Sequence, residues 1–192
     1  MTKSSLPASY FENLYAYDSD PWRFATSEYE RDKYDATVDA LSGVRYEHGF
    51  EIGCSIGVLT RRLAPSCTSL LAVDVADDAL AQARARCADQ PHVRFENRQI
   101  PQQWPAGQFD LILFSEVLYY LSESDLMETA ARTMASLAQG GTVLLVHYTP
   151  GTNYPLTGDQ AATLFIETTG CTPSLQHRRD RYRLDRLQRS SG

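Results

Sequence analysis

Short apolar runs alternate along this chain with stretches in which apolar residues recur every three or four positions. Runs bounded by turn residues read as buried strands, and the three-to-four spacing reads as helix. The runs fall at residues 48–52, 70–74, 93–96, 109–115 and 142–147. Between them, Leu59 and Leu63 after Gly57 predict one helix. Ala79, Leu80, Ala83 and Cys87 predict a second, with Asp77 as its expected cap. Leu126, Ala130, Met134 and Leu137 predict a third, opened by Ser122 with Asp125 and ended by Gly140-Gly141. Strand and helix in this alternation predict a parallel sheet with right-handed crossovers.

The two ends follow other patterns. Tyr10, Phe11, Leu14 and Tyr15 have helical spacing, and a polar break follows at Asp18-Ser19-Asp20-Pro21-Trp22. Ser27 and Glu30 read as a capping box for a helix reaching about Leu41, with Tyr34, Val38 and Leu41 on one face. After Pro150 the spacing predicts a helix from Thr157 or Gly158 to Thr169. Residues 174–178 and 181–188 then read as an antiparallel edge hairpin around Arg179-Asp180. Arg178, Arg179, Arg181, Arg183, Arg186 and Arg189 make this tail basic, and they are expected on its solvated face. The expected architecture is one α/β, Rossmann-like domain over 1–192. It comprises a helical cap or lid (1–45), a ligand-binding core (46–150) and a C-terminal helix and hairpin (151–192). The sheet has seven strands, mostly parallel, with helices on both faces.

Composition narrows the function classes. A net charge of −6 argues against a nucleic-acid footprint. No apolar stretch approaches the roughly 20 residues of a membrane span, and the first residues lack a signal-peptide core, so the expected location is cytoplasmic without membrane insertion. Cys54, Cys67, Cys87 and Cys171 form no C-x-x-C pair, so no metal site is expected and the thiols read as reduced and mostly buried.

The chemistry begins at His48-Gly49-Phe50-Glu51-Ile52-Gly53-Cys54-Ser55-Ile56-Gly57, a strand running into a glycine turn. Asp74 ends the next strand, where a carboxylate is placed to bind both ribose hydroxyls of an adenosine. The turn reads E-x-G-x-S-x-G, not the dinucleotide pattern G-x-G-x-x-G. A negative Glu51 would repel a pyrophosphate and attract a cation, which favours S-adenosylmethionine over a nicotinamide cofactor. An NAD-dependent oxidoreductase and a non-catalytic cofactor-binding protein are the distant alternatives.

The stretches FEIGCSIG (50–57), LLAVDVADDAL (70–80), FDLILFSEVLYYL (109–121) and LAQGGTVLLVHY (137–148) resemble, in order, those of class I S-adenosylmethionine-dependent methyltransferases. The N-terminal YFENLYAYDSDPWRFATSEYERDKYDATVDAL and the tail RDRYRLDRLQR are similar to the rhizobial nodulation protein S N-methyltransferases. That resemblance implies methylation of the free amine on the non-reducing glucosamine of a deacetylated chitooligosaccharide, in Nod-factor synthesis. Another small amine or hydroxyl compound is the alternative acceptor. The resemblance implies Gly53, Ser55 and Gly57 around the methionine moiety and ribose, with Cys54 in the same turn. It further implies Asp74 on the ribose; Val75, Gln99 and Ile100 at the adenine; Ser115, Glu116 and Val117 beside the methionine part; and Trp22 and Arg31 as lid residues. Many methyltransferases carry an acid near Arg98, which this chain lacks. In-line transfer to an amine gains most from alignment, and a base that takes or orients the amine proton adds to it. The candidates are Glu116 and His147, with Tyr119 and Tyr120 shaping the site.

Overall fold

A computed structural model describes residues 3–189. The chain divides into two compact units, residues 7–99 and residues 3–6 with 100–189.

The first unit contains α1 (Ala8–Tyr17), α2 (Glu28–Asp39), β1 (Tyr46–Ile52), α3 (Val58–Leu63), β2 (Cys67–Asp74), α4 (Asp77–Arg86) and β3 (Val93–Asn97). β1, β2 and β3 pair in parallel, with Ile52 opposite Val73 and Asp74 opposite Asn97. Phe50, Leu70, Ala72 and Val73 are buried. Each large apolar side chain so buried contributes about 1.5–3 kcal/mol. α1 docks through Tyr15, which packs with Trp22, Phe24, Ile56 and Ala79.

Two expectations change here. Asp77 is the first residue of α4 rather than its cap; the cap position is Ala76, and Asp77 Oδ1 accepts from Asn97 Nδ2 at 2.8 Å. Ser27 does cap α2, accepting from Glu30 N at 3.4 Å. The Glu30 carboxylate, however, pairs with Lys33 Nζ at 2.9 Å. Lys33 is 1% exposed, so the buried face of α2 holds an ion pair beside Tyr34 and Thr37 and is not the purely apolar stripe expected.

The second unit contains β4 (Phe109–Ser115), a 3-10 turn (Leu118–Tyr120), α5 (Glu123–Ser136), β5 (Leu137–Tyr148), α6 (Gly158–Thr169), β6 (Pro173–Arg178) and β7 (Tyr182–Gln188). β4 and β5 are parallel, and β7 pairs antiparallel with both β5 and β6. Ser122 caps α5, and Thr157 with Gln160 forms a full capping box on α6.

Gly140-Gly141 does not end α5. The helix stops at Ser136, and Leu137 is already extended (ψ 123). The glycines lie inside β5, where the register jumps from Phe109↔Leu137 to Leu111↔Thr142. Gly140 adopts φ +73, which lets the extra residues bulge out of the ladder. The basic tail also departs from expectation at Arg183, whose side chain is only 12% exposed. It meets Asp185 at 2.8 Å and Asp159 at 3.2 Å.

The seven strands run in the order β3-β2-β1-β4-β5-β7-β6. This is the expected mostly parallel sheet with an antiparallel C-terminal edge hairpin.

Candidate functional site

In the first unit, the glycine turn after β1 is fastened to the tip of β2. Gly53 N and Cys54 N both donate to Val73 O, at 2.9 and 3.0 Å. Ser55 N donates to Asp74 Oδ2 at 2.9 Å, and Ala76 N donates to Asp74 Oδ1 at 3.0 Å. The Asp74 carboxylate is therefore fixed in orientation by two amides. Each oxygen keeps a second lone pair for a ligand hydroxyl. Burial pushes the Asp74 pKa up, and the amides of Ala76, Ser55 and Val75 oppose that shift.

Ser55 itself has φ +51, a conformation that an L side chain adopts only at a cost. Gly57 has φ +76, and a Cβ there would lie 2.9 Å from Ala83 Cα, so the turn packs directly against α4. The Tyr15 hydroxyl reaches from α1 to hydrogen-bond Ser55 Oγ. Desolvation and the nearby Asp74 charge hold that phenol protonated well above its usual range. Tyr15 was missed as a site residue: its helical spacing marks a packing face, and the hydroxyl contact depends on how α1 docks.

Glu51 requires a correction. It is 1% exposed, and its Oε2 has no hydrogen-bond partner. Desolvation raises its pKa to about 7; the neighbouring Thr60 hydroxyl opposes the shift, and the Asp74 charge adds to it. Glu51 is thus a buried, partly protonated acid and not a surface charge facing a ligand. A buried acid of this kind carries less than the full negative charge that was expected to repel a pyrophosphate.

The other expected cofactor contacts divide. Val75 is half-buried beside Asp74, and its carbonyl accepts from Asn97 Nδ2 at 3.1 Å. Cys54 is buried, and its pKa is raised first by desolvation. Trp22 packs edge-on to Tyr15 at 5.8 Å and stacks on Phe24. Arg98 N donates to Asp74 O, while the Arg98 side chain pairs with Glu96 at 2.6 Å; Gln99 follows it and is exposed. Arg31 is not brought to the turn: it lies on the exposed side of α2, 3.5 Å from Glu28.

In the second unit, Ser115 and Ile100 are buried, and Glu116 and Val117 are half-buried just beyond β4. Glu116 has φ +60, a second strained position among the candidates. Its Oε2 accepts from the Tyr119 hydroxyl at 2.7 Å and from Tyr148 N at 2.8 Å. Tyr119 is buried, edge-on to Tyr120 at 4.6 Å and to His147 at 5.6 Å, and stacked on Tyr154 at 5.5 Å. His147 is fully buried, and its Nε2 accepts from Leu118 N at 3.3 Å. Tyr148, expected only as part of the His147-Tyr148 strand end, enters through its backbone amide, and Tyr154 was not foreseen. Tyr154 lies in an irregular segment that no periodicity marks.

Among the described residues, no group of three or more His, Cys, Asp or Glu is placed to hold a metal ion, and no helix is long and apolar enough to cross a membrane.

The profile of the nodulation protein S family matches residues 12–148. Nodulation protein S of Bradyrhizobium diazoefficiens is 35% identical over 125 residues, which is 62% of this chain and 57% of that protein. The chain therefore spans a little over half the length of this curated relative. Among solved structures, a putative methyltransferase from Pseudomonas syringae is 36% identical with a TM-score of 0.76, covering 85% of this chain and 100% of that one. The N-methyltransferase NodS from Bradyrhizobium japonicum WM9, in complex with S-adenosyl-L-homocysteine, is 27% identical with a TM-score of 0.81, covering 95% and 97%. The strand order and these likenesses give the chain the Rossmann-like fold of class I methyltransferases. With most of its length matched by the family profile, the chain belongs to the nodulation protein S family.

Proposed function

We propose that this protein is an S-adenosylmethionine-dependent N-methyltransferase whose acceptor is the free amine of the non-reducing glucosamine of a deacetylated chitooligosaccharide. The observation that carries this reading is the Asp74 cradle, in a chain that matches a NodS N-methyltransferase crystallised with S-adenosyl-L-homocysteine over 95% of its length.

The residues fit such a cofactor. Asp74 offers two oriented oxygens to the ribose hydroxyls, and the Gly53–Gly57 turn brings its backbone amides and carbonyls to the same strand ends. When bound, S-adenosylmethionine supplies an electrophilic methyl on a cationic sulfur. This chain's own residues do the rest. Asp74 and the turn bind and orient. Glu116, locked by Tyr119 and the Tyr148 amide, accepts the amine proton or aligns the nitrogen lone pair. Alignment of this kind is worth several kcal/mol of barrier. Glu116 is preferred to His147 as the proton acceptor, because His147 is fully buried with Nε2 bound to a backbone amide.

Incubation with methyl-labelled S-adenosylmethionine tests the reading against de-N-acetylated and fully acetylated chitooligosaccharides. Label is expected in the de-N-acetylated oligomer alone. Label in the acetylated oligomer, or only in an unrelated acceptor, contradicts the proposed substrate.

A further inference from the structure

Ser55 is strained within the glycine turn. Its φ of +51 lies in the left-handed region, which glycine enters freely and serine does not. Such strain persists where the surroundings hold a residue from more than one side. Two groups hold Ser55. Its amide donates to Asp74 Oδ2 at 2.9 Å, and its Oγ hydrogen-bonds the Tyr15 hydroxyl. The rest of the turn is fastened by main chain, through Gly53 N and Cys54 N on Val73 O and Gly57 N on Cys54 O at 2.9 Å. Ser55 differs from these neighbours in being held by a side chain of α1.

The Tyr15 ring does not need its hydroxyl to stay in place. It packs on Ile56, Ala76 and Ala79, with Phe11, Trp22 and Phe24 around it. The segment after α1 is fixed independently. Gln82 Nε2 donates to Ser19 O at 2.9 Å, and the Asp20 carboxylate accepts from Phe24 N at 2.8 Å and Ala25 N at 2.9 Å. A phenylalanine at position 15 keeps all of these contacts and loses the hydrogen bond to Ser55.

We propose that Tyr15 is a positioning residue of the cofactor site: its hydroxyl holds Ser55 in the left-handed conformation, which keeps the Ser55 amide on Asp74 and aims the Asp74 carboxylate at the ribose hydroxyls. The inference rests on the reading of Asp74 as the ribose-binding acid and extends it to what sets that acid's orientation. The last torsion of an aspartate is soft, so one hydrogen bond does not fix the plane of its carboxylate. Two amides, one on each oxygen, do fix it, and Ala76 N supplies the other at 3.0 Å. Without the Tyr15 hydroxyl, Ser55 relaxes toward an ordinary negative φ and its N–H turns off Oδ2. The carboxylate then hangs from Ala76 alone and no longer meets both hydroxyls of a ribose. The adenine and homocysteine parts of the ligand keep their contacts, so the loss falls on the ribose.

The test is calorimetry with S-adenosylhomocysteine and with its 2′,3′-dideoxy analogue, which lacks both hydroxyls. The ratio of the two affinities measures the preference for the hydroxyls. Wild type is expected to favour S-adenosylhomocysteine strongly, and Tyr15→Phe to lower the ratio about tenfold. In a Ser55→Gly background, where no Oγ is present to hold, Tyr15→Phe should leave the ratio where that background sets it. A merely structural role for Tyr15 would weaken both ligands alike and leave the ratio unchanged. An unchanged ratio in Tyr15→Phe therefore overturns the inference, as does an equal fall in the Ser55→Gly background. Wild type that binds the two ligands equally overturns the reading of Asp74 itself, and the role of Tyr15 with it.

Discussion

Glu51→Gln removes an acid that the fold buries at the end of β1. Glu51 titrates near 7 in the folded chain, against an ordinary 4.5, and desolvation is the main cause. A gap of about 2.5 pH units corresponds to about 3 kcal/mol. Its sign follows from proton binding. Below pH 4.5 the acid is protonated in both states and costs nothing. Between 4.5 and 7 the unfolded chain ionises first while the folded chain keeps its proton, so stability falls as pH rises; above 7 the whole penalty is present. Gln keeps the shape and cannot ionise. Urea unfolding of both proteins at pH 5 and pH 8 measures the effect. Wild type is expected to lose about 2–3 kcal/mol more than the variant over that interval, and the raised Asp74 is common to both proteins. Equal losses in the two proteins would refute a buried, raised Glu51.

Three further outcomes follow from the same geometry. Asp74→Ala frees the Ser55 and Ala76 amides and removes the proposed ribose contact; calorimetry with S-adenosylhomocysteine should show affinity reduced by about a hundredfold or more, and unchanged affinity would mean the ribose lies elsewhere. Gly57→Ala combines a left-handed backbone with a 2.9 Å contact to Ala83 and should cost about 3 kcal/mol, whereas Gly140→Ala, with open space around it, should cost about 1 kcal/mol; thermal melts of the pair test the difference. Asp185→Ala leaves the largely buried Arg183 with Asp159 as its remaining acidic partner and should lower unfolding stability by about 3 kcal/mol, measurable in urea.

The strands were legible because a strand buried on both faces writes itself as an apolar run. β4 was read to the residue from Phe109 to Ser115, and all seven of its residues are buried or half-buried. The α5–β5 boundary was misread for a physical reason. Gly-Gly normally stops a helix, but here the chain passes from Ser136 into β5 without a loop, and the glycines serve a bulge. At the candidate site, the sequence displayed Glu51 and Asp74 as two similar acids. Only packing separates them: Asp74 is half-buried and clasped by amides, while Glu51 is sealed in. Charge on paper therefore misled where burial decides protonation. The glycine turn and the Glu116–Tyr119 pair were within reach because their parts lie close in sequence. Tyr15 and Tyr154 were not, since each meets its partner across more than thirty residues of chain.

The proposed reaction places a methyl group on one particular nitrogen. The most direct measurement is fragment mass spectrometry of a de-N-acetylated chitooligosaccharide after reaction with the enzyme and S-adenosylmethionine. The added methyl is expected on the nitrogen of the non-reducing glucosamine. A methyl on a hydroxyl or on an inner residue, or an unmodified oligomer beside a methylated unrelated acceptor, would contradict it.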